Sequence, residues 1–329
     1  VQDQHGFFFY VRDLESGEYW SVGHQPVKRK ADRYDSWYHP GKVQLARVDN
    51  WIESFMEVCV SPEDDIELRK ITLTNYSDRE RTIEVTSYAE AVLNTQQADM
   101  SHPAFSNLFV QTEYLQEHHS VLARRRPRES EEEAMWLVHT IASEDGGSED
   151  DMLEVETDRA NFIGRNRSLG NPRVMDPDVR LSGSVGNVKD PILSLRRVLT
   201  LKPGEKKNIT FGLGRVTNRE EAVAMGDRYD NPYATERVFE LASIYGSVEL
   251  EQINISSEQA NYFQRLAGHL IFNAGDLRAS EDILKRNRKK QPGLWAHSIS
   301  GDVPILVYHI EDTKFTREVG LLLKAHAFW

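Results

Sequence analysis

The 329-residue chain sets 40 Lys and Arg against 52 Asp and Glu, a net charge of −12. A surface that acidic argues against nucleic acid as a partner, because phosphate backbones require a basic face. Its longest apolar runs, Phe7 to Val11 and Val303 to Val307, are far too short to span a bilayer, so membrane attachment is expected only through other parts of a parent protein. The length allows one large β domain or two ordinary ones. The start at Val1, with no signal-peptide pattern, reads as a piece of something longer. The single cysteine, Cys59, leaves no internal disulfide and no thiolate cluster, and its alternating run Phe55 to Val60 predicts a buried strand residue.

The first two thirds read as strands and turns. Phe7 to Val11, a turn at Asp13 to Gly17 and Glu18 to Val22 predict a hairpin. Ile52 to Val60 alternates, Ser61 to Asp65 turns, Ile66 to Leu73 alternates, Asn75 to Asp78 turns, and Arg81 to Tyr88 follows. Three strands on short turns predict an antiparallel meander, the signature of a sandwich. Asn94 to Phe105 breaks the alternation and reads as a long loop around Ser101-His102-Pro103. Strands follow at Leu108 to Tyr114, Ser120 to Arg125 and Ala134 to Ser143. Glu144 to Asp151 reads as an exposed acidic turn, and Asp158 to Pro177 as irregular. Ile192 to Leu201 and Lys206 to Leu213 resume the strands, and the second is expected to close the sheet.

Then the period changes. Asn218 followed by Glu220 and Glu221 predicts an N-cap and an acidic first turn suited to the helix dipole. A second helix starts at Ser256 or Ser257 and spaces Phe263, Leu266, Ala267 and Leu270 helically. Leu294 to Ile310 reads as a hinge, with Trp295, His297, the polar turn Ser300-Gly301-Asp302, and an apolar run after Pro304. Thr313 to Trp329 predicts a helix with Phe315, Val319, Leu322, Leu323 and Phe328 on one face, which would favour self-association if exposed.

Glu63, Asp64, Asp65 and Glu67 sit at a turn after Pro62 and read as solvated rather than as an acid/base pair. His118 and His119, beside Glu117, would point to opposite faces of a strand and so would not share a metal ion. Arg124 to Arg126 with Arg128 is followed at once by Glu129 and Glu131 to Glu133, which reads as a solvated face.

Taken in order, these parts resemble the N-terminal portion of a glycoside phosphorylase module of the cellobiose phosphorylase type, in particular the version in bacterial cyclic β-1,2-glucan synthases. The stretches that carry the resemblance include FYVRDLESGEYWSV (Phe9 to Val22), VSPEDDIELRKITLTNYSDRERTIEVTSYAEAVL (Val60 to Leu93), HPAFSNLFVQTEY (His102 to Tyr114) and LARRRPR (Leu122 to Arg128). DRANFIGR (Asp158 to Arg165), DPILSLRR (Asp190 to Arg197), FQRLAGHL (Phe263 to Leu270) and LWAHSISGDVPI (Leu294 to Ile305) complete them.

The resemblance implies a large β-sandwich of the super-sandwich kind over 1–216, a helical linker over 217–293, and the opening of an (α/α)6 barrel over 294–329. It also implies inverting phosphorolysis of β-glucosidic bonds, with an Asp as general acid and inorganic phosphate as nucleophile and co-substrate. No metal or organic cofactor is implied. That acid and the phosphate site are expected outside this chain, which alone would be inactive. The implied partners are a β-glucan or oligosaccharide and a second copy of the chain, with the parent on the cytoplasmic side of a bacterial inner membrane. A free-standing oligoglucan phosphorylase, or a module that only binds or scaffolds, stays open.

Two groups of residues are candidates for sugar contact or cleft closure on this reading. The loop with His102 and Phe105 either covers a sugar site, as the β-domain of the resembling phosphorylases does across a dimer interface, or packs Phe105 into the sandwich. Trp295, His297, Ser300 and Asp302 either stack on and hydrogen-bond a sugar, or form a structural turn in which Ser300 and Asp302 satisfy backbone donors.

Overall fold

The computed structural model describes residues 6–127, 135–143, 153–272 and 275–329. The turn expected at Glu144 to Asp151 and the acidic run Glu129 to Glu133 lie outside them. The chain forms two compact units, residues 2–245 and residues 246–329.

In the first unit, β1 (Phe8–Asp13) and β2 (Tyr19–Ser21) form the expected hairpin. β3 (Arg33–His39) and β4 (Lys42–Asp49) carry no hydrophobic alternation, because β3 is an exposed edge and β4 is half-covered. β5 (Ile52–Val60), β6 (Ile66–Asn75) and β7 (Arg81–Glu90) follow. The expected loop is two short helices, α1 (Gln96–Ser101) and α2 (Pro103–Asn107). Next come β8 (Val110–Leu115), β9 (Ser120–Arg125), β10 (Trp136–Ser143) and β11 (Glu154–Asp158), then α3 (Arg159–Ile163). β12 (Pro191–Leu201), β13 (Lys206–Val216), α4 (Arg219–Tyr229) and α5 (Pro232–Gln252) complete the series, and the division between units falls inside α5.

The strands make two antiparallel sheets, ordered β11-β12-β7-β1-β2 and β3-β4-β5-β6-β13-β10-β9-β8. β5 and β6 pair as expected, but β7 does not continue that meander. It crosses to the smaller sheet, between β12 and β1. The reason is its burial along nearly the whole length, which only a strand covered on both sides can have. β13 does not close a sheet either; it runs in the middle, between β6 and β10.

Phe9, Val11, Val85 and Leu195 from the small sheet meet Ile71, Leu73, Ile141 and Phe211 from the large one in the central core. Each such side chain contributes roughly 1.5–3 kcal/mol on burial. The outer face of the small sheet is covered by the segment after β11, through Tyr10, Tyr88, Phe162, Val174 and Met175. The outer face of the large sheet is covered by α4 and the start of α5, through Leu68, Trp136, Met225 and Phe239. Asn218 caps α4 as expected, its side-chain oxygen accepting the Glu221 N–H at 2.8 Å. The turn carboxylates are more than solvated. Asp64 accepts from Arg228 and from the Tyr229 hydroxyl, each at 2.6 Å, and Glu63 from Arg237 at 3.2 Å, so the turn fastens both helices. Cys59 is buried, and burial pushes its thiol up to about 12.

The second unit contains α6 (Ser257–Ile271), α7 (Glu281–Arg286), α8 (Pro292–Trp295) and α9 (Thr316–Phe328). Ser256 and Gln259 form a reciprocal capping box at the start of α6. Leu250, Ile255, Ala260, Phe263 and Ala325 make its core, with Leu321 and Phe328 packed alongside. The inward face of α9 is therefore Leu321, Ala325 and Phe328, while Phe315 and Leu323, expected on that face, stay exposed. No helix among the described residues is long and apolar enough to cross a membrane.

Candidate functional site

A polar groove of about 820 Å³ opens on the first unit, lined by Gln25, Lys28, Glu90, Arg159, Arg167 and Asp190 among others. Three element ends converge to build it. Asp158 caps α3 by accepting the Ala160 N–H at 2.9 Å. The helix stops at Gly164, whose φ of +83° and whose lack of a Cβ both matter, since a Cβ there would strike the Arg173 side chain. That short helix places Arg159 beside Glu90 at the end of β7. The Arg159 N–H also donates to the Asp190 carbonyl at 2.9 Å, just before β12.

The Arg159 guanidinium donates to the Tyr88 hydroxyl at 3.1 Å and lies 3.3 Å from Glu90 Oε1 and 3.4 Å from Asp190 Oδ2. Tyr88 in turn donates to Glu90 Oε1 at 2.8 Å, and Asn107 of α2 donates to Asp190 Oδ1 at 3.0 Å. Burial raises the Asp190 carboxyl despite the opposing pull of Arg159. Burial and the Glu90 charge push the Tyr88 phenol well above its ordinary value. Burial alone would lower the Arg159 guanidinium, but Tyr88, Glu90 and Asp190 together raise it.

This geometry separates recognition from acid catalysis. A glycosidic general acid needs a carboxyl that holds its proton next to the leaving oxygen. Here one guanidinium lies against both carboxylates, 3.3 Å from Glu90 and 3.4 Å from Asp190, and occupies the oxygens that would have to face a leaving group. What results is a rigid frame of planar donors and acceptors, suited to bonding neutral hydroxyls.

The residues singled out from the sequence fall into two separate places. His102 joins α1 to α2 and is exposed. Phe105 is 54% exposed and meets the Phe109 ring edge to face at 5.3 Å between ring centres. Behind it Ser106 is buried, accepting from Asn94 at 2.8 Å and, through its carbonyl, from Arg125 at 3.0 Å. So α2 is held from the rear, presents Phe105 outward, and sends Asn107 to the groove's Asp190. The basic run beside it is structural: Arg125 and Arg126 lie over the Phe109 ring and Arg124 over Trp136.

In the second unit, Trp295, Ser300 and Asp302 do come together. Gln291 Nε2 donates to the Ser300 carbonyl at 2.9 Å and to Asp302 Oδ1 at 2.8 Å, and Trp295 Nε1 donates to the same carbonyl at 3.3 Å. Their polar atoms are thus engaged in holding the turn, and His297 stands exposed on it. His118 and His119 lie in a turn rather than a strand, facing Asp227 at 3.4 Å and Asp230 at 3.8 Å respectively. Among the described residues no group of three or more His, Cys, Asp or Glu could hold a metal ion.

Residues 1–232 match the family model for the glycosyl hydrolase 94 supersandwich domain. The chain belongs to that family. Its supersandwich domain contains every groove-lining residue named above. Over 312 residues the chain is 33% identical to the cyclic beta-(1,2)-glucan synthase NdvB of Rhizobium meliloti (strain 1021), covering 95% of this chain and 11% of that protein. It is 31% identical over 201 residues to the solabiose phosphorylase of Paenibacillus borealis, covering 60% of this chain and 24% of that one. A third relative, the N,N'-diacetylchitobiose phosphorylase of Vibrio furnissii, is 28% identical over 218 residues, 65% of this chain and 26% of its own. The supersandwich chain thus spans about a tenth of the synthase and about a quarter of each phosphorylase.

Proposed function

We propose that this chain is the glucan-recognising, non-catalytic part of a β-glucan-processing module in a larger cyclic β-1,2-glucan synthase. The observation that carries this is the extent of the similarity: it runs through 95% of the chain for the glucan synthase but about two thirds for the phosphorylases. Sandwich and second unit therefore match one protein together. In the parent, reversible phosphorolysis of β-glucosidic bonds uses inorganic phosphate as co-substrate, without a metal or organic cofactor. The general acid and phosphate site come from other parts of the protein. Residues 217–293 form a helical linker and 294–329 open an (α/α)6 barrel, and the parent sits on the cytoplasmic side of the inner membrane and pairs as a homodimer.

Within this chain the groove frame of Arg159, Glu90 and Asp190 bonds sugar hydroxyls. Phe105, turned outward on α2, offers an aromatic face to the same chain of sugars, with His102 beside it. Trp295, His297 and Asp302 act at the barrel end. A second reading, a purely structural turn there, is favoured by the internal bonds of Gln291, Ser300 and Asp302. The test is a phosphorolysis assay: with phosphate and a linear β-1,2-gluco-oligosaccharide, this chain is expected to bind sugar and release no glucose 1-phosphate. Turnover would overturn the assignment of the chemistry to the rest of the parent.

A further inference from the structure

The β4–β5 hairpin turns on two residues, Asn50 and Trp51, with Asp49 paired to Ile52 across it. Both turn residues have positive φ, 49° and 67°, which is the type I′ geometry normally given to Asn-Gly. Asn tolerates that region; a Trp there is a steric outlier. The indole gains little from packing in return, being 67% exposed. The turn is nevertheless fixed from every side. The Asn50 N–H donates to Asp32 at 3.2 Å, the Asn50 carbonyl accepts from buried Arg81 at 3.3 Å, and the Trp51 carbonyl accepts the Tyr76 N–H at 2.8 Å. A strained backbone locked in place to hold a large aromatic out in water marks function rather than folding.

Beside it stands Tyr76, 51% exposed, its hydroxyl donating to Glu53 Oε2 at 2.9 Å. We propose that Trp51, with Tyr76 and Glu53, is a second binding subsite, separate from the groove, for an extended gluco-oligosaccharide chain. β-Glucose carries its hydroxyls equatorially, so its ring faces are C–H surfaces that lie on the electron-rich face of an indole. The phenol and carboxylate supply acceptors for hydroxyls at the ring edge. A neutral ligand fits better than an anion, because Arg33, paired with Val48 on the neighbouring strand, and Arg79, three residues after Tyr76, are engaged by Asp35 and Glu15 and the chain is strongly acidic. The choice of a sugar rests on the carbohydrate reading above; the location of the subsite does not.

The experiment is an NMR titration of the whole chain with a linear β-1,2-gluco-oligosaccharide, following the indole N–H signal of Trp51, identified by its absence from Trp51→Gly. The signal is expected to shift saturably in the wild type and equally in Arg159→Ala, whose groove is disabled. Trp51→Gly should restore the favoured Asn-Gly turn and raise the melting temperature by about 2–4 °C, while lowering affinity for the long oligosaccharide several-fold. Tyr76→Phe should lower affinity without moving the melting temperature. An indole signal that stays still while groove signals near Lys28 move would overturn the subsite and leave the groove reading intact. If neither region moves, the carbohydrate reading itself fails and the subsite with it.

Discussion

Ser87 Oγ and His139 Nε2 lie 2.7 Å apart in the interior, joining β7 of the small sheet to β10 of the large one. The Gly212 carbonyl, 2.8 Å from Nδ1, can only accept, so Nδ1 carries the proton and Nε2 accepts from the serine hydroxyl. The Leu195 N–H donates to that hydroxyl at 2.9 Å. Both residues are fully buried, so the pair ties the sheets together and is out of reach of any substrate.

This bond sets a pH limit. Burial pulls His139 down from 6.5 to about 4. Between those values the unfolded chain binds a proton that the folded chain does not, so stability is intact above pH 6.5 and falls as the pH drops to 4. The loss is on the order of 3 kcal/mol. Urea midpoints measured across that window should show it, and His139→Leu, weaker at pH 7, should lose that component of the slope.

A lower window belongs to Glu57. Burial would raise its carboxyl, but hydrogen bonds from Gln44, Lys42 and Lys70 prevail and hold it at about 2, from an ordinary 4.5. A carboxylate held down in this way stabilises the fold above pH 4.5 and ceases to do so as pH falls to 2. Glu57→Gln should flatten acid unfolding in this lower window and leave the His139 window unchanged.

Arg196 is the fastening of the segment that covers the small sheet. It is 2% exposed, lies 3.3 Å from Glu84 and 3.4 Å from Glu154, and donates to the carbonyls of Val179 at 2.8 Å and Val174 at 2.6 Å. Burial lowers the guanidinium and raises the Glu84 carboxyl, so desolvation opposes the pair on both sides. Removing one partner is then worse than never having had the pair. Arg196→Met should cost about 3–5 kcal/mol in chemical denaturation and expose the 174–182 segment to proteolysis.

Gly214 lets α4 lie flat on the large sheet. A Cβ there would collide with the Met225 sulfur and press Ile66 and the Asp65 carbonyl at 3.2 Å. Gly214→Ala should destabilise by about 1–3 kcal/mol. The cost should be smaller in a Met225→Ala background, since the two sites are in contact and should not add.

The strands read best from the sequence were those with one wet and one dry face, such as β5 and β6. β7 misled, because short turns on either side of β6 look alike whether the next strand pairs or crosses to the other sheet. β3 and β4 carried no pattern, β3 being an exposed edge and β4 only half-covered. The helix caps at Asn218 and Ser256 were legible because capping is local. The groove was not: Glu90, Arg159 and Asp190 come from three distant segments, and only the Asp158…Gly164 cap-and-stop pair hinted that Arg159 opens a helix. Phe105 was legible as an interruption, but the Asn107 to Asp190 bond that links its helix to the groove was not.

The most direct measurement is calorimetric titration of the chain with a linear β-1,2-gluco-oligosaccharide, with cellobiose as control, for wild type and Arg159→Ala. Saturable binding of the first sugar only, weakened about tenfold by the substitution with the fold intact by circular dichroism, is the result expected of a recognition module. No saturable binding to either sugar would contradict it and leave a scaffold for the rest of the parent protein.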